Sequence, residues 1–275
     1  MILIVYSTLD IAGINIAQQI LKHCPFTKST QTYQTLPLYT ADINGHPTTM
    51  VALQKEAICA QYLPDDYPDA ELIVFISRHT SQSGKPTLTV HAPGNFDNAE
   101  FGGYPKTLSI APALAMQTAL RALAHYKENL SLNDYQVSYE CTHHGPSLAV
   151  PAMFVELGSS PAQWRDTYAA KAVAHSALNA ISTFTKTPAS AVLGIGGTHY
   201  NEKFTTLSLT GTVSFGHMIP KYALSNIDAA MIKQCIKQTS ETVHLAMLDW
   251  KGIASKDKPN ILTALEQADL PCQKI

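Results

Sequence analysis

Two unbroken apolar runs, Ile2-Leu3-Ile4-Val5-Tyr6 and Leu72-Ile73-Val74-Phe75-Ile76, constrain the fold more than any other feature of the chain. A strand with one face in water alternates polar and apolar residues, whereas a run without a polar position must be covered on both faces. After the first run, Ser7, Thr8 and Asp10 are candidate caps for a helix to about residue 21, so the chain opens as strand then helix. Apolar spacing continues the alternation, with strands expected over 87–91, 135–141, 152–157, 189–195, 211–219 and 244–250. Helices are expected over 53–63, 112–127, 161–184, 226–243 and 259–268, and Ser160-Pro161-Ala162-Gln163 has the form of a capping box with proline at the first helical position. Asn44-Gly45 between two extended runs marks a hairpin, so the strands cannot all be parallel. Residues 26–38, rich in Thr and Gln, show no clear period. The expected architecture is α/β, three-layer α/β/α with a mixed sheet, in a single domain over residues 1–275.

The balance of charge excludes some functions. With a net charge of −2 and 15% charged residues, nothing announces a general polyanion binder, so a nucleic-acid substrate would need a local basic patch. Five scattered cysteines, never in a Cys-x-x-Cys pair, argue against a disulfide framework and against a thiolate zinc site. No basic leader and no apolar run of membrane length is present. The expectation is a soluble, cytoplasmic protein with no membrane contact and no obligatory protein partner.

Reactive side chains gather at strand ends: Arg78 and His79, His143 and His144, His199, and His217, with Glu140 and Glu156 on central strands. Open α/β sheets place ligands at the carboxyl ends of strands, which makes these loops site candidates. His143 and His144 share one site only if the chain turns there, as Gly145-Pro146 suggests. Imidazoles with a carboxylate suit a catalytic zinc that keeps a position for water; equally, one His could act as a general base oriented by Glu140 or Glu156, or the Gly-rich loops could bind phosphate. No His-Glu-x-x-His, Gly-x-Ser-x-Gly, Walker or dinucleotide motif decides among them. His91 and His217, each single at a strand, read as hydrogen-bonded structural residues, and Cys141 as a small buried filler.

Glu140-Cys141-Thr142-His143-His144-Gly145-Pro146-Ser147, with 151–164, Ser77-Arg78-His79-Thr80-Ser81, Lys85-Pro86-Thr87-Leu88-Thr89-Val90-His91, Gly194-Ile195-Gly196-Gly197-Thr198-His199-Tyr200 and Ser214-Phe215-Gly216-His217, resembles the D-aminoacyl-tRNA deacylases of archaeal and plant type. The matching blocks extend over about 71–222, in the family's order. The resemblance implies a fold similar to the phosphorylase and peptidyl-tRNA hydrolase type. It also implies hydrolysis of the ester joining a D-amino acid to the terminal ribose of tRNA, a zinc cofactor, and the acceptor end of D-aminoacyl-tRNA as substrate partner. Where the family has Thr after His-His-Gly-Pro, this chain has Ser147, which keeps the hydroxyl. On this footing His143 and His144, with Glu140 or Glu156, hold the attacking water directly or through zinc, with His143, His144 and Glu156 the candidate ligands. His79 and Thr142 are expected in the same pocket. Arg78, Ser81, Gly145, Pro146, Gly196, Gly197 and His199 are the expected substrate contacts, and the backbone of Gly145-Pro146 or Gly196-Gly197 would exclude the L-enantiomer. Arg78, Lys85, Lys106, Lys203 and Lys221 lie near these loops as acceptor-stem contacts. The rival is a small-molecule enzyme of the same fold type, a nucleoside phosphorylase or zinc amidohydrolase.

Overall fold

The computed structural model describes residues 1–275 except 186 and 188. The first apolar run forms β1 (Ile2–Ser7), which lies inside an eight-stranded sheet and pairs in parallel with β4 (His46–Leu53) and β5 (Leu72–Thr80). Outward on one side come β3 (Leu36–Ile43) and β2 (Thr27–Tyr33), both antiparallel; on the other, β5 pairs in parallel with β8 (Ala152–Ser159), which turns antiparallel to β6 (Thr87–His91), followed by β7 (Gln136–Tyr139). The sheet is therefore mixed, with order β2-β3-β4-β1-β5-β8-β6-β7. The Asn44-Gly45 hairpin forms as expected, both residues at positive φ between β3 and β4.

The absence of polar positions in β1 has the predicted cause. Ile2 and Ile4 face a core shared with α1 (Ile11–His23), α3 (Ala113–Asn129) and α5 (Thr167–Ser182), while Leu3 and Val5 face a second core on the opposite side. That second face is covered only lightly, by a 3-10 turn at Ala57–Cys59 and the one-turn α2 (Leu63–Asp66), where sequence spacing suggests a helix over 53–63. Residues up to Leu53 are instead held by the ladder to β1, because pairing with a buried parallel neighbour outweighs local helical spacing.

A second, four-stranded parallel sheet holds β10 (Phe215–Ile219), β9 (Ser190–Ile195), β11 (Thr242–Leu248) and β12 (Cys272–Lys274), in that order. It is flanked by α6 (Glu202–Thr210) on one face and by α7 (Ala229–Lys237) and α8 (Lys258–Gln267) on the other. The expectation of one sheet is thus corrected to two. They are stitched together by the residues after β7: Glu140 bridges Tyr200, Cys141 N–H donates to His199 O at 2.8 Å, and Thr142 N–H donates to Met218 O at 2.9 Å.

Three further boundaries differ from the sequence. The helix expected over 161–184 is divided into α4 (Pro161–Trp164) and α5, because Asp166 stops the first and caps the second, accepting from Tyr168 N and Ala169 N. The strand expected over 211–219 begins only at Phe215, after α6, and the helix expected over 226–243 is confined to α7. No helix among the described residues is long and apolar enough to cross a membrane.

Candidate active site

The lightly covered face of the first sheet is where the polar residues collect. Ser77 and His79 on β5, Glu156 on β8 and Thr89 and His91 on β6 sit in register, Ser77 opposite Glu156 and Glu156 opposite Thr89, on the side that also carries the stacked rings of Phe75 and Phe154. Period-2 geometry does this: residues i and i+2 share a face. Gly158, opposite His79, leaves room for the ring, since a Cβ there would lie 2.7 Å from His79 Cβ. The loop after β7 then brings Glu140, His143 and His144 over the same spot, the turn being made by His144 at φ 42°. A cavity of about 430 Å³ opens above, lined by His79, His143, His144, Glu156 and His199, with Arg78, Glu56 and Phe101 toward its mouth.

Glu140 is the buried hub. It has no exposed surface, and three imidazoles surround it: His199 Nε2–H donates to Oε2 at 2.8 Å, His143 Nε2 lies 3.5 Å from Oε2, and His79 Nδ1 lies 3.1 Å from Oε1. His79 is shared with the second carboxylate, Glu156 Oε2 at 3.5 Å, and its other nitrogen meets the Tyr200 hydroxyl. Burial acts to lower the pKa of His79, but Glu140 and then Glu156 outweigh it and hold the ring protonated up to about 11. Burial likewise acts to raise both carboxylates, yet His79 and its neighbours keep Glu140 well below the usual range and Glu156 at about 2. Ser77 Oγ donates to Glu156 Oε1 at 2.7 Å, completing that carboxylate's partners. The group is a buried anion–cation–anion row.

Beside it stands a second set. His91, His143 and His144 pack ring against ring, and one donor atom from each lies within 4.8 Å of the others. In each, Nδ1–H donates to a backbone carbonyl: Ala92 O at 3.3 Å, Cys141 O at 2.9 Å and Gly145 O at 2.7 Å. That leaves Nε2 as the remaining donor atom, the tautomer that metal-binding histidines adopt when the other nitrogen is fixed by a carbonyl. His91 Nε2 is buried without a hydrogen-bond partner. Burial, then the neighbouring rings, push His143 well below its ordinary pKa and His144 down to about 4, so both are neutral ligands at pH 7. Glu156, 3.6 Å from His91 Nε2, overcomes burial and raises His91, so the pocket favours a positive charge. Two neutral imidazoles, His143 and His144, with His91 beside them and Glu156 behind it, fit a zinc ion of open coordination once His91 Nε2 gives up its proton. His143, His144 and Glu156, the ligands read from sequence, do not form one such set: His91 takes the third place, and Glu156 stands behind it.

The other sequence candidates separate. Arg78 lines the mouth and pairs with Glu56 at 2.9 Å. Gly145 abuts the cavity wall: its N–H donates to Phe101 O at 2.9 Å, and a Cβ there would meet Gly103 N at 2.2 Å. Pro146 follows it, with its carbonyl accepting from Ser109 Oγ at 2.7 Å. Gly196 and Gly197 lie elsewhere, beside Ile253, Asp249 and Asn201, and Ser81 bonds to Ser83 rather than lining the cavity. Thr142, expected in the pocket, is turned inward. Its hydroxyl accepts from Met218 N at 3.2 Å and donates to His217 Nδ1 at 3.1 Å, while His217 Nε2–H donates to Ser109 O and Gln238 O at 3.0 and 2.9 Å.

His217 is therefore structural and titratable. Burial lowers its pKa to about 4 from an ordinary 6.5. Below pH 6.5 the unfolded chain accepts a proton that the folded chain refuses until about pH 4, so stability falls as pH drops through that window and is unaffected above it. Urea unfolding of His217→Gln should show a fall in stability between pH 7 and 4.5 that is smaller than wild type's by about 2–3 kcal/mol. Equal pH dependence would contradict this.

Comparison with known proteins follows the same lines. The model of the family described as D-aminoacyl-tRNA deacylase matches residues 66–273. A D-aminoacyl-tRNA deacylase of Methanoregula boonei is 40% identical over 207 residues, 74% of this chain and 45% of that protein, and one of Pyrococcus abyssi is 33% identical over 257 residues, 90% of each. This chain thus spans somewhat under half of the first and nearly all of the second. A crystal structure of a conserved protein of unknown function superposes with a TM-score of 0.88 at 30% identity, covering 100% of this chain and 95% of the other.

Proposed function

Because the chain belongs to the D-aminoacyl-tRNA deacylase family, we propose that it hydrolyses the ester joining a D-amino acid to the terminal ribose of tRNA, as a carboxylic-ester hydrolase. The observation that carries the mechanism is the Glu140–His199 pair. A buried carboxylate accepts from Nε2–H at 2.8 Å, which fixes the tautomer and leaves Nδ1 with the lone pair at the cavity wall. That nitrogen now accepts from the Tyr222 hydroxyl at 3.3 Å, a long bond that a water can replace. His199 is then the general base that takes the proton of the attacking water, and Glu140 stabilises the resulting imidazolium. An aminoacyl ester is already activated, so little more is required than a base and a positive group near the carbonyl oxygen. His79, held protonated between two carboxylates, is too tightly committed to act as a base and instead keeps Glu140 ionised.

His91, His143 and His144 would hold a zinc ion, whose chemistry there is to polarise the carbonyl and to lower the pKa of bound water to about 7. Their Nδ1–H bonds to backbone carbonyls would hold each ring with Nε2 free to ligate it.

For the choice of enantiomer, backbone is the better tool than side chain, because it cannot swing aside. Of the two loops proposed from sequence, Gly145-Pro146 lies beside the cavity, locked against Gly102, Gly103 and Ile58: a Cβ on Gly102 would come within 2.0 Å of Ile58 O. Ile58 and Phe101 from the same lock line the cavity. In this reading the wall refuses the side chain of an L-aminoacyl group.

Release of tyrosine from D-Tyr-tRNA and L-Tyr-tRNA tests the proposal, each with and without a chelator and added zinc. Rapid loss of the D-ester alone is expected; equal rates on both esters, or no hydrolysis of either, would sink it. Loss of activity with chelator and its return with zinc would support the His91, His143 and His144 assignment.

A further inference from the structure

In a chain of net charge −2, one groove gathers three lysines. Lys221, Lys251 and Lys256 line a depression of about 460 Å³ with Tyr222 and a single carboxylate, Asp257. All three lysines are exposed, and no ion pair among the described residues ties them down, whereas Arg78 is held by Glu56 and Lys203 by Asp249. The topology explains the gathering. Lys221 and Tyr222 follow the carboxyl end of β10, His199 follows that of its neighbour β9, and Lys251 follows that of β11, the next strand. In a parallel sheet these ends open on one edge, where ligands bind.

Tyr222 connects the groove to the cavity. It is 61% exposed, and its hydroxyl donates to His199 Nδ1 at 3.3 Å, so its ring stands between the lysines and the base. An exposed aromatic ring beside unpaired lysines suits one kind of ligand well: phosphates with flat bases between them, in a single strand.

We propose that this groove is the track of the single-stranded 3′ end of tRNA, with Lys221, Lys251 and Lys256 against its phosphates and a base stacked on Tyr222, delivering the terminal ribose to His199. The inference rests on the proposed function and says where its macromolecular substrate lies. Of the basic residues singled out from sequence, Lys221 belongs to this track, while Lys203 is spent on Asp249 at 2.5 Å and Ile275 O at 3.2 Å.

The test uses deacylated tRNA, labelled at its 5′ end, with anisotropy read as a function of salt. K221E/K251E/K256E is compared with K22E/K28E/K127E, which makes the same charge change on α1, β2 and α3. The groove variant should bind at least about tenfold more weakly than wild type at 0.1 M salt, with a log–log salt slope shallower by about two, at roughly 0.7 per lost phosphate contact. The control variant should stay within about twofold of wild type. Tyr222→Leu should reduce the preference of wild type for intact tRNA over tRNA trimmed of its 3′ single strand by about fivefold or more, the share of one stacked base. Wild-type affinity in the groove variant, an equal loss in both triple variants, or no preference of wild type for the intact end would each overturn the track. Wild-type hydrolysis of D-Tyr-tRNA is measured alongside: its absence would sink the proposed function, while the binding data would still decide whether RNA lies in the groove.

Discussion

Glu140→Gln is expected to lower kcat on D-aminoacyl-tRNA by a factor of about 10³–10⁴ while KM changes little. The substitution keeps the size of the side chain but replaces an obligate acceptor with an amide that can donate. In the wild type only one arrangement satisfies the pair: Nε2 of His199 carries the proton toward Glu140 at 2.8 Å, and Nδ1 is bare. With Gln at 140, the amide NH₂ can face Nε2, the proton moves to Nδ1, and the base is lost although the ring stays in place. The charge that would stabilise the imidazolium is lost as well. His199→Ala should be equally damaging, and the double variant no worse than either, because residues that act as one unit do not add. Single-turnover release of D-tyrosine measures all three, and thermal melts check the fold. A drop of less than about tenfold in Glu140→Gln would remove His199 from the role of base and leave the attacking water to the three-histidine set.

How much of this was legible in the sequence depends on the range of the interactions involved. The buried strands β1, β5 and β8 and the hairpin at Asn44-Gly45 were legible because each is written in contiguous residues, and so was the gathering of Arg78, His79, His143, His144 and His199 at strand ends with Glu140 and Glu156 on central strands, although His217, read into the same set, is turned into the protein. His91 was not, since a lone histidine at the end of a strand has no local signal of convergence. Its partner Glu156 is brought beside it only by the antiparallel register of β6 on β8, which pairs Glu156 with Thr89. The same limit misplaced Thr142. Next to His143 in sequence it looked like a site residue, yet it points to the other side and serves the second sheet through Met218 and His217. The two-sheet arrangement was hidden for a related reason: which parallel strands share a sheet is settled by long-range packing that apolar runs do not encode. Thr87-Leu88-Thr89-Val90-His91 alternates polar and apolar residues, the pattern of a strand with one face in water, so the sequence hides the burial of all five and the need of the His91 ring for a partner.

The largest effect on stability is expected at His79. The ring is 6% exposed and lies between two carboxylates that are 0% and 3% exposed, so it is the cation that allows both to be buried as anions. Its raised pKa gives stability that is complete below about pH 6.5 and is lost as pH climbs toward 11; the depressed pKa of Glu156 gives stability that is complete above about pH 4.5 and is lost as pH falls toward 2. Between those limits the row is fully charged and at its strongest. His79→Leu removes the middle charge and leaves Glu140 and Glu156 facing each other, at a cost of about 3–5 kcal/mol near neutral pH. The variant should then respond to pH in the opposite sense on the acid side. With the central cation gone and only His91 left beside Glu156, the facing carboxylates take up a proton more readily when folded than when unfolded, so the deficit against wild type shrinks as pH falls from 7 to 5. Adding Glu156→Gln removes one of the two opposed charges and should recover a large part of the loss, a coupling that additive effects would not give. Denaturant unfolding of the two single variants, the double variant and wild type at pH 5 and 7 measures it. A deficit below about 1 kcal/mol in His79→Leu, or one that does not depend on pH, would mean that the carboxylates are neutral in the folded protein and that the row carries no central charge.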